Sequence, residues 1–120
     1  MTINQRDVVL IEDPYLDQVR SPHLFIVLSN AKANNFETSF IGVMITSNSR
    51  KDIMSFELTN DMFEKDLPKS GCHARMHLLT LFYNEEMKGK KLNEMKVFYF
   101  NQLMKSIGDL IFNFDFSPQP

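Results

Sequence analysis

The sequence predicts a mainly β protein, a small β-barrel of about five to seven short strands with one C-terminal α-helix. Three observations predict it. Short runs of β-branched, aliphatic and aromatic residues alternate with polar segments over most of the chain. From Lys96 onward, apolar residues recur every three or four positions. The length of 120 residues, 43% of them hydrophobic, suits one domain, which we expect over 1–116 with a frayed tail at 117–120.

The first two strands are predicted on either side of a polar loop. Val8 to Ile11 is a short apolar run after the polar "NQRD". The loop "EDPYLDQVRSP" contains two prolines and four charged residues, and His23 ends it. Leu24 to Leu28 then gives five apolar residues in a row, which is typical of a strand that is buried on both faces.

The middle of the chain predicts two more strands. "SNAKANN" is a polar break, and "FETSFIGVMITSN" has strand character with Gly42 inside it. "DIMSFELTN" alternates, because Met54, Phe56 and Leu58 are separated by polar residues. "DMFEKDLPKSG" is a turn-rich connection to the next strand.

The stretch "GCHARMHLL" predicts a strand with one polar and one apolar face. Alternation places three polar side chains on one face, those of His73, Arg75 and His77. The other face receives the side chains of Cys72, Ala74, Met76 and Leu78. The polar face is either a site that binds an anion or the solvated side of a sheet.

The last element predicted is an amphipathic helix. Its apolar face comprises Val97, Phe100, Met104, Ile107 and Ile111, with Leu103 and Leu110 beside them. Gly108 weakens this helix by about 1 kcal/mol relative to alanine.

Charge and composition exclude several classes of protein. The net charge is −2, so any site for an anion must be a local patch. Cys72 is the only cysteine, which excludes an intramolecular disulfide. The first residues lack the apolar segment of a signal peptide, and no apolar run approaches the ~20 residues that span a bilayer. We therefore expect a cytoplasmic protein without a membrane partner.

The sequence predicts neither a metal site nor a cofactor. His73 and His77 are about 13 Å apart on a strand, which is too far to share one ion. Cys72 lies on the apolar face, where a buried and inert thiol is expected. The chain has four scattered glycines and no glycine-rich phosphate loop.

Three groups could carry chemistry on RNA. Cleavage by the RNA's own 2′-hydroxyl needs a proton acceptor, a proton donor and fixed positive charge, but no metal. Arg20 precedes a buried strand, Thr46 ends another, and Arg75 and His77 share a strand face. Taken alone, each of these residues is better explained by a solvated loop, a turn cap or an exposed sheet face than by a catalytic role.

The order of the motifs resembles the PemK/MazF family of toxin endoribonucleases. The matching segments are "RDVVLIEDP", "VRSPHLFIVLSN", "FIGVMITSN", "LPKSGCHARMHLLTL" and "KKLNEMKVFYFNQLMKSIGDLI". Together they cover nearly the whole chain. The sequence departs from the family at Arg6, where glycine is usual, and at Ser21, which separates Arg20 from Pro22.

This resemblance implies an SH3-like barrel, a homodimer and metal-independent cleavage of single-stranded RNA. It also implies a partner antitoxin whose tail occupies the RNA groove. The catalytic residues carried over by position are Arg20, Thr46, Arg75 and His77. The residues expected to bind RNA are His23, Ser47 and His73.

Two other functions are compatible with the same sequence. The first is a catalytically inactive family member that binds a protein or peptide, which the net charge of −2 favours. The second is a binder of single-stranded nucleic acid that stacks bases on Tyr15, Phe36 or Tyr83.

Overall fold

The computed structural model describes residues 2–12, 22–47 and 51–114, which form one antiparallel sheet and two α-helices. The strands are β1 (Asp7–Ile11), β2 (His23–Val27), β3 (Ser39–Thr46), β4 (Ser55–Glu57), β5 (His73–Tyr83) and β6 (Met87–Glu94). The helices are α1 (Ala31–Glu37) and α2 (Val97–Ile111), and single 3₁₀ turns occupy Asn60–Met62 and Asn84–Glu86. Over these ranges, neither α-helix is long and apolar enough to cross a membrane.

The six strands follow the order β4-β5-β3-β2-β1-β6, and each pair of neighbours is antiparallel. The segment that follows β4 bonds to the end of β6. Phe63 forms an isolated bridge with Met95, and the Glu64 N–H donates to the Glu94 carbonyl at 3.0 Å. The predicted class, mainly β with a C-terminal helix, is confirmed. Closure of the sheet into a barrel stays a prediction.

Both faces of the sheet are buried. On one face, α2 packs its Phe100, Leu103 and Ile107 side chains against strand residues such as Val43 and Ala74. The opposite face has its own core, formed by Ile3, Val9, Ile11, Phe25, Val27, Phe40 and Phe82. Two apolar faces explain the continuous apolar run 24–28, most of which lies in β2.

Strand β5 is interrupted where its polar side chains lie. Val43 pairs with Leu79, but Ile45 pairs with Ala74, so 75–78 bulge out of the β3–β5 ladder. Cys72, Ala74 and Met76 are buried, as the alternation predicts. Leu78, which was expected on the same apolar face, is 40% exposed because the bulge breaks the alternation.

Helix α1 was not predicted. The Asn30 side chain accepts a hydrogen bond from the Ala33 N–H and begins the helix. Thr38 ends it in the left-handed conformation, with φ of 51°. The side chain of Asn34 is buried and donates to the carbonyls of Ser29 and Ile3. These contacts turn the predicted polar break and the start of the predicted strand into a helix.

Strand β6 was also not predicted, and the apolar face of α2 differs from the expected one. Most of β6 is exposed and polar, and it forms because it pairs with β1. In α2, Phe100, Leu103 and Ile107 are buried, but Val97 is 54% exposed and Met104 is 37% exposed. The buried face of α2 is therefore narrower than its apolar periodicity predicts.

Arg6 has a left-handed backbone, with φ of 80°. This is the position at which the PemK/MazF resemblance leads one to expect glycine, the residue that adopts positive φ without a steric cost. The Arg6 guanidinium donates to the Met95 carbonyl at 2.8 Å and pairs with Glu94 at 3.3 Å. These contacts hold the chain entering β1 against the end of β6.

Candidate functional site

The sheet register places three of the predicted site residues at the same end of adjacent strands. Leu24 pairs with Ile45, so His23 and Thr46 each lie one residue beyond that pair, on β2 and β3. Thr46 in turn pairs with His73 of β5. Residues that face each other in an antiparallel pair have Cβ atoms about 5 Å apart. Two predicted RNA-binding residues therefore lie close to the predicted catalytic hydroxyl.

A cavity of about 560 Å³ opens at this end of the sheet. Its polar lining includes His23, Thr46 and Ser47, which are all predicted site residues. Aliphatic side chains line it from the sheet, those of Val8, Leu10, Leu24 and Ile45. Its size falls in the range of small-molecule sites, and a largely apolar pocket with a few polar groups is their usual character.

The opposite wall of the cavity is the segment 66–69, which is fixed at both ends. The Asn93 side chain accepts from the Lys65 N–H at 3.0 Å and donates to the Lys65 carbonyl at 2.9 Å. The Leu67 N–H donates to the Asn60 side chain at 2.8 Å. At the other end, the Cys72 thiol donates to the Lys69 carbonyl at 3.2 Å. These bonds hold the wall in place without a ligand.

Arg75 does not line the cavity, since its guanidinium is engaged elsewhere. Its Nη1 donates to the Asp52 carboxylate at 2.9 Å and to the Ser55 hydroxyl at 3.0 Å. The hydrogen bond from Arg75, followed by one from the Met54 N–H, lowers the pKa of Asp52 below its usual value. Arg75 therefore anchors the segment 52–55 to β5.

His77 and His73 have opposite environments. His77 is exposed in the β5 bulge, and its charge contributes to the lowered pKa of Asp52. His73 is fully buried, and neither ring nitrogen finds a hydrogen-bond partner among the described residues. The expectation that His73 lies on a polar outer face is wrong, because the strand is covered there. The ring has no exposed surface in this conformation, and the role of His73 in RNA binding stays a prediction.

The predicted site residues thus fall into two groups. The cavity is lined by His23, Thr46 and Ser47. The second group, Arg75 and His77, lies on β5, and both side chains act on the Asp52 carboxylate. Arg20 lies outside the described residues, two positions before Pro22, which lines the cavity. Within 2–12, 22–47 and 51–114, no group of three or more His, Cys, Asp or Glu side chains is placed to hold a metal ion.

Sequence reasoning missed the residues that shape the site from outside the predicted strands. Asp52 carries no local pattern that marks it as the partner of Arg75. Asn93 lies in the unpredicted β6, and its role depends on pairing between segments 28 residues apart. The segment 66–69 was predicted only as part of a turn-rich connection. Its one proline and its charged residues indicate a surface loop but do not indicate which cavity it borders.

The fold and the site define a small antiparallel β protein with a C-terminal helix and a cavity at one end of its sheet. A scan against protein-family models and a search of curated proteins both return no match. Solved structures do match. A MazF from Deinococcus radiodurans superposes with a TM-score of 0.73 and 13% identity, covering 94% of this chain and 99% of that chain.

Two mycobacterial structures agree with it. An endoribonuclease in complex with its cognate antitoxin, from a mycobacterial species, gives a TM-score of 0.71 and 14% identity over 99% of this chain and 100% of that chain. The Mycobacterium tuberculosis toxin MazF-mt6 gives 0.66 and 10% identity, covering 87% of this chain and 94% of that chain. The chain therefore has the fold of the MazF structures, and the resemblance to the PemK/MazF family is confirmed at the level of the fold.

Proposed function

We propose that the chain is a cytoplasmic endoribonuclease toxin that cleaves single-stranded RNA without a metal ion and is neutralised by an antitoxin. The observation that carries this proposal is the cavity lined by His23, Thr46 and Ser47 in a chain with the MazF fold. Fold alone does not imply function, so the chemistry of the cavity has to support the assignment. The antitoxin partner follows from the antitoxin-bound mycobacterial endoribonuclease of the same fold.

In the proposed reaction, the RNA 2′-hydroxyl attacks the adjacent phosphorus, and the 5′-oxygen leaves with a proton. Arg20 stabilises the charge that develops on the phosphoryl oxygens, because a guanidinium matches two of them at once. The Thr46 hydroxyl donates to the same group from the end of β3. His23, which lines the cavity, is the candidate for proton transfer at the phosphate, and the exposed His77, which does not line it, is kept as a second candidate from the sequence alone.

Arg75 has a different role in this proposal. Its guanidinium is held by Asp52 and Ser55 and its side chain is only 13% exposed, so its charge is largely committed. We assign it as a positioning residue that holds the segment 52–55 against β5.

Homodimer formation is part of the same proposal. Ile41 and Leu81 are cross-strand partners on β3 and β5, and they are 40% and 52% exposed. Such an apolar pair on a sheet surface is suited to burial against a second copy. Light scattering that shows a monomer at micromolar concentration would contradict this.

Cleavage of a mixed-sequence RNA by the purified protein in EDTA tests the proposal. We expect cleavage by the wild type and a loss of about 100-fold or more in Arg20→Ala, since removing one group that stabilises a developing oxyanion costs 10²–10³. Lys32→Ala on the exposed surface of α1 is the matched control and should cleave like the wild type. No cleavage, or equal activity of Arg20→Ala and wild type, overturns the assignment.

The alternative is a binding module of the same fold without catalysis. The engagement of Arg75 by Asp52 and the net charge of −2 favour it, because both reduce the positive charge available to RNA. The same experiment separates the two functions. A protein that binds an antitoxin-like partner but leaves RNA intact in EDTA and in Mg²⁺ is the binding module.

A further inference from the structure

Two opposite charges on the wall of the cavity are uncommitted. Asp66 and Lys69 are exposed residues that line the cavity from the segment 66–69. Across the described part of the chain, neither their carboxylate nor their ammonium forms a hydrogen bond or an ion pair. Some other charged groups of the fold are paired, as Arg75 is with Asp52 and Lys91 is with Glu94. The two side chains are therefore free to bind a ligand.

The geometry around these charges is fixed in advance. The wall is held by Asn93 at one end and by the Cys72 thiol at the other, so binding a ligand does not require the loop to order first. Facing the wall is an aliphatic floor that includes Leu10 and Leu24. The site thus combines aliphatic side chains with one acceptor and one donor in a single lining.

We propose that this cavity binds one unpaired nucleobase of the RNA beside the scissile phosphate, and that Asp66 and Lys69 read its edge. The inference rests on the proposed function for its ligand class. A nucleobase has apolar faces and an edge that carries donors and acceptors in one plane, which suits this lining. The Asp66 carboxylate accepts from an exocyclic amino group, and the Lys69 ammonium donates to a ring nitrogen or carbonyl oxygen.

The charges also determine what the cavity rejects. The Asp66 carboxylate and the Lys69 ammonium together give a phosphate no net attraction, so the backbone is placed on the side of Thr46. A purely apolar peptide side chain would use the floor but neither charge. Uracil lacks an exocyclic amino group, and its one edge donor, the N3–H, lies between two carbonyl oxygens that the Asp66 carboxylate repels, whereas the amino group of cytosine lies at the end of its edge. The site therefore favours an amino-bearing base over uracil.

Cytidine and uridine are the probes, because they differ at the group that Asp66 would contact and carry no phosphate. Each is titrated into the full chain while methyl resonances of Leu10, Leu24 and Leu92, which line the cavity, are followed by NMR. We expect cytidine to shift these resonances and to bind about tenfold more tightly than uridine, as one good base contact discriminates. Asp66→Asn should reduce the ratio to within about twofold, because an amide can accept from or donate to either base.

Asp109→Asn, on α2, is the matched control and should leave the ratio unchanged, since α2 contributes no residue to the cavity lining among those described. Equal binding of the two nucleosides, shifts confined to other surfaces, or an apolar peptide that binds the cavity while neither nucleoside does would each overturn the inference. RNA cleavage measured in parallel separates the two claims. RNA cleavage without nucleoside binding would overturn only the proposed base site. Cytidine binding without RNA cleavage would overturn only the proposed nuclease activity.

Discussion

Replacing Arg6 by alanine and by glycine separates backbone strain from side-chain contacts at the start of β1. Both variants lose the hydrogen bond to the Met95 carbonyl and the ion pair with Glu94. Because the paired side chains are 28% and 32% exposed, the ion pair contributes little, and we expect the shared loss to be about 1–2 kcal/mol. Alanine retains the cost of a left-handed residue that carries a Cβ, which is about 1–2 kcal/mol.

Glycine removes that cost but gains conformational entropy in the unfolded chain, which offsets about 0.4–1 kcal/mol. We therefore expect Arg6→Gly to be more stable than Arg6→Ala by about 0.5–1 kcal/mol. In urea unfolding this corresponds to a midpoint higher by roughly 0.3–0.5 M, for an m-value of about 2 kcal/mol/M.

The same pair of substitutions at Lys32 is the control. Lys32 lies in α1 with a right-handed backbone, so glycine should be less stable there than alanine by about 1 kcal/mol. The opposite sign at the two positions is the expected result. If glycine is also the less stable substitution at position 6, Arg6 does not have a left-handed backbone and the reasoning is refuted.

Two further predictions concern a pair of glycines and the Asp52 carboxylate. Gly42→Ala should destabilise the fold by about 1 kcal/mol or more, because a Cβ there would lie 3.3 Å from the Phe25 Cβ and 3.4 Å from the Ile26 carbonyl oxygen. At Gly108, within α2, an added Cβ meets open space, so Gly108→Ala should stabilise the fold by about 1 kcal/mol. Urea unfolding measures the change in stability of both variants. A change of the same sign in the two would contradict the packing described at Gly42. The lowered pKa of Asp52 means that its ion pair stabilises the fold above the ordinary value of 3.8 and is lost as the pH falls through the folded-state pKa. Asp52→Asn should therefore have a lower urea midpoint than the wild type at pH 7, and the difference between the two midpoints should narrow below about pH 3.8. A difference that stays constant down to pH 2 would count against the assigned ion pair.

The elements that the sequence predicts well are those whose residues bury both faces or repeat with a clear period. β2 is apolar from Leu24 onward, and the apolar residues of α2 recur every three or four positions, so local pattern suffices for both. β6 is different, since its exposed lysines carry no alternation and only pairing with β1 makes it a strand. Helix α1 depends on a capping asparagine and on the buried amide of Asn34, which finds its partners through the tertiary fold.

Of the candidate site, the sequence predicts only the residues that lie at the ends of recognisable strands. Thr46 and His23 fall at the ends of two strands that sequence pattern identifies, and the fold then brings them to one cavity. The burial of His73 could not be predicted, because alternation gives the face of a strand but not what covers it. The Arg75–Asp52 pair joins residues 23 positions apart and depends on how β4 pairs with β5.

Cleavage of a defined RNA and of its counterpart with 2′-deoxyribose at the cleaved nucleotide, in EDTA, tests the central claim most directly. The wild type should cleave the RNA and leave the deoxy-substituted strand intact, because the attacking group is then missing. Thr46→Val should lose about 100-fold in rate. Thr80→Val, which pairs with Gly42 about 13 Å farther along the sheet, should match the wild type. Cleavage of both strands at equal rates, or full activity in Thr46→Val, would contradict the account.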